Sequence, residues 1–96
     1  MIKKVTIKQT FRVGNKLEVN FDILDVRSLQ RGINVELEHG RKCGLTNVTN
    51  SNLEITAKIA LAHLMEYIDY YDELKIMEDK LKQKHKGKRK INIFVM

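Results

Sequence analysis

The sequence predicts an α+β domain with an N-terminal β-hairpin, a three-helix core and a short C-terminal strand, and three observations lead there. Apolar residues alternate with polar ones near both ends of the chain, the middle carries apolar positions three and four apart, and the helical stretches open on capping residues. The 96 residues, 43% hydrophobic and 31% charged, suit one folded domain with little room for a deep cleft beside its core. The expected division is a hairpin over 1–21, a helical core over 25–86, and a basic turn and strand over 87–96.

At the N-terminus Val5, Ile7, Phe11 and Val13 recur with period two, interrupted at Gln9, and Leu17, Val19 and Phe21 continue the alternation. Gly14-Asn15 between them supplies the residues that a tight primed turn demands. Asp25 caps a first helix over 25–39, whose apolar positions are Val26, Leu29, Ile33 and Leu37 and whose left-handed stop is Gly40. Gly32 inside that helix costs about 1 kcal/mol against alanine and so points to close packing on its face.

Ser51-Asn52-Leu53-Glu54 reads as a capping box that opens a second helix, with Leu53, Ala57, Ala60, Leu61 and Leu64 as its apolar stripe. Asp69 caps a third helix that folds back on the second, with Leu74, Met77 and Leu81 on one face and a Glu78–Lys82 ion pair on the other. Ile91, Ile93 and Val95 then alternate as a strand that joins the hairpin or the sheet edge of a partner. The single cysteine, Cys43, excludes an internal disulfide and suits a reducing compartment. Charges interrupt the apolar residues of the N-terminus, so neither a signal-peptide core nor a membrane span is expected, and the expected location is cytoplasmic, or the virion if the source is a phage or virus.

The net charge of +6 is unevenly placed. Residues 1–20 carry five basic groups and one acid, 80–90 carry seven basic groups and no acid, and 21–79 hold six basic groups against eleven acids. An acidic body between basic ends implies that body and ends face different surroundings. Lys84, Lys86, Lys88, Arg89 and Lys90 are the candidate contacts to a partner or to nucleic acid. Such a run makes salt-sensitive, sequence-independent phosphate contacts, yet it holds no aromatic residue for base stacking, and a solvated helix end has the same composition.

The blocks Val35-Glu-Leu-Glu-His-Gly40, Thr46-Asn-Val-Thr-Asn50, Lys58-Ile-Ala-Leu-Ala-His63 and Asp69-Tyr-Tyr71, in this order, resemble a domain family of unknown function spread through bacteria, tailed bacteriophages and large DNA viruses. The resemblance runs from about Phe21 to Glu78 and implies a helical core of unassigned activity and a phage or viral source. Members of that family commonly carry a proline before Asp-Tyr-Tyr where this chain has Ile68, which implies a looser break there.

Glu36-x-x-His39 and His63-x-x-Glu66 place two pairs of ligand-type side chains on helix faces, the spacing with which helical bundles hold divalent metal; Glu38 or Asp69 would add oxygens. The same four residues equally form a hydrogen-bonded network that ties two helices together, the preferred alternative. Cys43, between Lys42 and Gly44, has basic neighbours but no adjacent histidine to activate it, and no phosphate-binding glycine loop occurs. The tyrosine rings of Tyr70 and Tyr71 are expected to pack with anchored hydroxyls. Together these features favour a non-catalytic structural or interaction protein with no resident cofactor, a subunit of a phage or virus particle contacting its neighbours through the basic β ends. A small metal-binding protein using Glu36, His39, His63 and Glu66 is the alternative.

Overall fold

Thr6 opens the first regular element. Its hydroxyl accepts from the backbone N–H of Gln9 (3.0 Å), and the Gln9 side chain accepts from the Thr6 N–H (2.9 Å), a reciprocal capping box. Helix α1, Ile7–Lys16, follows, where the sequence predicts a hairpin. A computed structural model describes residues 4–87 together with Ile93 and Val95. Among these the protein is all-helical: α2 spans Val26–Lys42, α3 Leu53–Glu66 and α4 Tyr70–Lys84, with a 3-10 turn at Gly44–Thr46 and no strand.

The α+β expectation fails because residues 5–17 satisfy two periods at once. Ile7 and Phe11 supply the alternation, but the side of the helix that packs consists of Thr10, Val13, Gly14 and Leu17, spaced for a helix, with Val5 buried just ahead of it. Thr10 hides that stripe because it is polar. It is buried at no cost in unpaired groups, since its hydroxyl donates to the carbonyl of Thr6 (2.7 Å), which also accepts from its N–H (2.9 Å).

Gly14-Asn15 is no turn. Gly14 is a buried helical residue against which Phe21 lies, and a Cβ there would meet the Phe21 ring at 2.3 Å. Phe21 in turn packs edge-on against Phe11 (4.9 Å between centroids). The left-handed residue is Glu18, at φ 63°. Val19 N–H donates to the Gly14 carbonyl (2.9 Å) and Glu18 N–H to that of Asn15 (3.1 Å), the paired bonds of a Schellman stop with glutamate in the place glycine usually takes.

With α1 helical there is no hairpin for a C-terminal strand to join. Ile91 lies outside the described residues, and Ile93 and Val95 are exposed and belong to no strand. The chain before α1 is tied down by α2. Val5 is buried, with its N–H donating to Asn34 Oδ1 (2.8 Å) and its carbonyl accepting from Gln30 Nε2 (3.1 Å). Side chains thus satisfy the backbone groups that the expected strand would have paired.

Asp25 caps α2 as expected, accepting from the Arg27 N–H (2.8 Å). The helix does not stop at Gly40 but runs through it to Lys42. Gly40 is buried instead, and a Cβ there would stand 2.9 Å from Asn47 Oδ1. The cap of α3 is Asn52, not Ser51: its side chain accepts from the Ile55 N–H (2.9 Å), while Asn50 and Ser51 before it take left-handed φ values of 51° and 59°. Thr56 repeats the device of Thr10, donating to the Asn52 carbonyl at 2.6 Å.

Leu29, Ile33 and Leu37 of α2 form the centre of the core, with Ala57, Ala60 and Leu64 of α3 and Val13 of α1. Gly32 brings α2 and α3 close: a Cβ on it would lie 2.6 Å from the Tyr71 ring and 3.2 Å from the Ala60 Cβ. Helix α4 follows a connection of Tyr67, Ile68 and Asp69 that stays tight without proline, since Tyr67 N–H bonds the His63 carbonyl and Tyr70 N–H that of Tyr67, both at 3.0 Å. It does not lie along α3 as the sequence predicts. Only Tyr71 is buried, Leu74 is half-buried, and every residue from Lys75 to Lys84 is exposed. Its ion pair is Lys75–Asp79 (3.3 Å) in place of the expected Glu78–Lys82. Among the described residues no helix is long and apolar enough to cross a membrane.

Two stability measurements test this packing. Gly32→Val is expected to lower unfolding free energy by about 1–3 kcal/mol through overpacking, whereas Gly44→Ala, with open space around it, is expected to stay within about 0.5 kcal/mol of the parent in the same urea titration. Glu18→Gly is expected to raise stability by up to about 1 kcal/mol by relieving the left-handed conformation.

Candidate functional site

Where α4 leaves the core, a groove of about 470 Å³ opens between it and the C-terminal half of α2. Glu36, one turn beyond Gly32 on α2, His63 near the end of α3, and Tyr70 and Tyr71 at the start of α4 line it together. Glu36 Oε2 accepts a hydrogen bond from the Tyr71 hydroxyl (2.8 Å) and stands 4.0 Å from His63 Nε2. That contact is ionic only when the imidazole is protonated. The His63 ring stacks on Tyr70 (4.1 Å between centroids, 6° between planes), and Tyr71 meets both rings edge-on.

Burial first, and then the hydrogen bond to Glu36, raise the Tyr71 phenol well above its ordinary value of 10.0, with the charges of Glu36 and Tyr70 acting in the same sense. Tyr71 therefore donates its proton and keeps it. Among the described residues no fully buried side-chain nitrogen or oxygen lacks a partner.

Of the four side chains that the sequence singles out for metal, Glu36 and His63 meet. His39 lines the groove but is exposed, and Glu66 is exposed and not among the lining residues. Glu38 pairs with Lys42 (4.0 Å), and Asp69 occupies the N-cap position of α4 with no side-chain cap bond. No group of three or more histidine, cysteine, aspartate or glutamate side chains among the described residues is arranged to hold a metal ion.

The half-exposed Cys43 thiol is held below its ordinary value, chiefly by the backbone N–H of Leu45 and against the opposing effect of burial, with Thr46 assisting. Those groups belong to the 3-10 turn, and no histidine is among them. Lys84 and Lys86 are exposed at the end of α4, whereas Lys88, Arg89 and Lys90 lie outside the described residues. The anchored hydroxyl expected of the tyrosine pair is present at Tyr71. Its acceptor Glu36 was not legible, because the contact joins positions 35 residues apart. The exposed Arg31–Asp72 ion pair, which also ties α2 to α4, carried no sequence signal either.

Tyr71→Phe is expected to cost about 1–2 kcal/mol, because it leaves the half-buried Glu36 carboxylate without its donor. The raised phenol makes its contribution in full below pH 10.0 and loses it as pH climbs above that value. Phenolate absorbance followed against pH should therefore show one delayed tyrosine step that coincides with unfolding and is missing from Tyr71→Phe.

No match was found among curated proteins or among solved structures. Residues 10–80 match a protein family of unknown function, DUF5661, over a span that begins inside α1, upstream of the Phe21 boundary suggested by the sequence blocks, and reaches well into α4. With most of its length and part or all of each of its four helices inside that match, the chain belongs to the DUF5661 family.

Proposed function

We propose that the protein is a non-catalytic interaction protein whose contact element is α4. The observation that carries this is the departure of α4 from the core. After Tyr71 and Leu74 the helix has no apolar seat among the described residues, and Ile76, Met77 and Leu81 are 48%, 50% and 45% exposed along it. A helix of 15 residues draws most of its stability from packing on an apolar face, and α4 leaves that face uncovered. The Tyr71–Glu36 hydrogen bond and the packing of His63 against both tyrosine rings serve as the fixed root from which α4 projects.

The finer expectation, a subunit of a phage or virus particle, draws on the family resemblance and on the split between acidic body and basic ends. With α1 helical, contact through β ends is withdrawn and α4 with its lysines takes that part. Lys84 and Lys86 at its tip suit an acidic protein surface, and any nucleic-acid contact they make would be weak and salt-dependent.

A photo-cross-linking amino acid placed at Met77, with the exposed Lys58 of α3 as the control site, tests this in cells of the native source. Discrete cross-linked protein from position 77, absent from position 58 and lost on Leu81→Lys, is the expected result. Equal yield from both positions, or about one equivalent of metal bound to the purified protein and released by His63→Ala, would overturn it.

A further inference from the structure

The outward side of α4 has a definite order of chemistry. Glu73, Ile76, Met77, Lys80 and Leu81 line a shallow groove of about 350 Å³ along it, distinct from the wall that α4 turns toward α2 with Leu74, Lys75, Glu78, Asp79 and Lys82. Helical spacing carries the outward row one turn further, to Lys84. Along this row the N-terminal end is acidic, the middle apolar and the C-terminal end basic.

We infer that this row pairs antiparallel with the same row of a second copy of the chain. A two-fold axis passing between Glu78 and Asp79 sets Glu73 beside Lys84 of the second copy, Ile76 beside its Leu81, and Met77 beside the aliphatic stem of its Lys80. Every contact occurs twice. Glu78 and Asp79, which this register would set level with Asp79 and Glu78 of the second copy, belong to the wall facing α2, so the acids at the centre stay apart. Parallel pairing would set Glu73 against Glu73 and Lys84 against Lys84, and the helix dipoles also favour the antiparallel arrangement.

One face of a 15-residue helix covers less than the roughly 800 Å² per partner of a stable complex. The pairing is therefore a concentration-dependent equilibrium, suited to a protein that repeats within a larger assembly. It deepens the interaction function proposed above and rests on it.

Sedimentation equilibrium of the whole chain, from micromolar to about half-millimolar concentration, reads the pairing directly. The expected result is a monomer–dimer equilibrium that Met77→Lys weakens at least about tenfold, with circular dichroism unchanged. Glu73→Lys and Lys84→Glu are each expected to weaken it about threefold or more, and the double exchange to restore it toward the parent value. Recovery in the double variant supports the antiparallel register. A monomer throughout, or a dimer indifferent to these four variants, would overturn it. A monomer that still cross-links from Met77 to another protein would discard the pairing while leaving the interaction function in place.

Discussion

The fold depends on one close approach. At Gly32 the missing side chain allows the Tyr71 ring and the Ala60 Cβ to sit where a Cβ would otherwise stand, so α2, α3 and the root of α4 meet at a single point of the core. Glycine in a helix costs about 1 kcal/mol against alanine, and here that loss is offset by the burial of a tyrosine ring. The same seat fixes the direction of the Tyr71 hydroxyl. From there the hydroxyl reaches Glu36 one turn along α2, and Glu36 in turn faces His63. The groove network is thus a consequence of the core contact, which explains why a pair of tyrosines at the start of a mostly exposed helix can anchor it.

How the helices begin explains much of what the sequence showed and what it hid. Asp25 was legible because its cap is local, a side chain accepting from an N–H two residues on. Gly32 was legible because glycine inside a helix has few other reasons to be there. Thr6 and Gln9 carry an equally local box that went unread beneath the alternation of Val5, Ile7, Phe11 and Val13 and the Gly14-Asn15 pair, although all of these are compatible with a helix. The deciding facts were not local. Gly14 is small because Phe21 lies on it, and Thr10 and Thr56 are polar yet buried because each returns its hydroxyl to the carbonyl of its own cap residue. Patterns of apolar residues do not register a buried threonine or a glycine kept small by a neighbour.

The site was half legible. Ligand-type residues three apart on two helices directed attention to Glu36 and His63, and those two do meet. His39 and Glu66 share the spacing but not the meeting point, because spacing along one helix says nothing of the angle at which a second helix crosses it. The tyrosines that complete the network stood in plain view in the Asp69-Tyr-Tyr71 block, but their acceptor depends on the tertiary arrangement. The basic run was legible as charge alone. What the structure adds is that Lys80 and Lys84, the start of that run, lie on the outer row of a helix that projects from the core and carries an acidic residue, Glu73, at the other end of the row.

Native-state hydrogen exchange, at a dilution where the chain is monomeric, tests most directly whether the seam at Gly32 holds the fold while α4 projects from it. The slowest amides are expected in Leu29–Leu37 and Ala57–Leu64, with Leu74 marking a boundary beyond which the amides of α4 exchange much faster. Protection of Lys75–Lys84 equal to that of the core would contradict the account, because it would require a seat for α4 that the described residues do not provide.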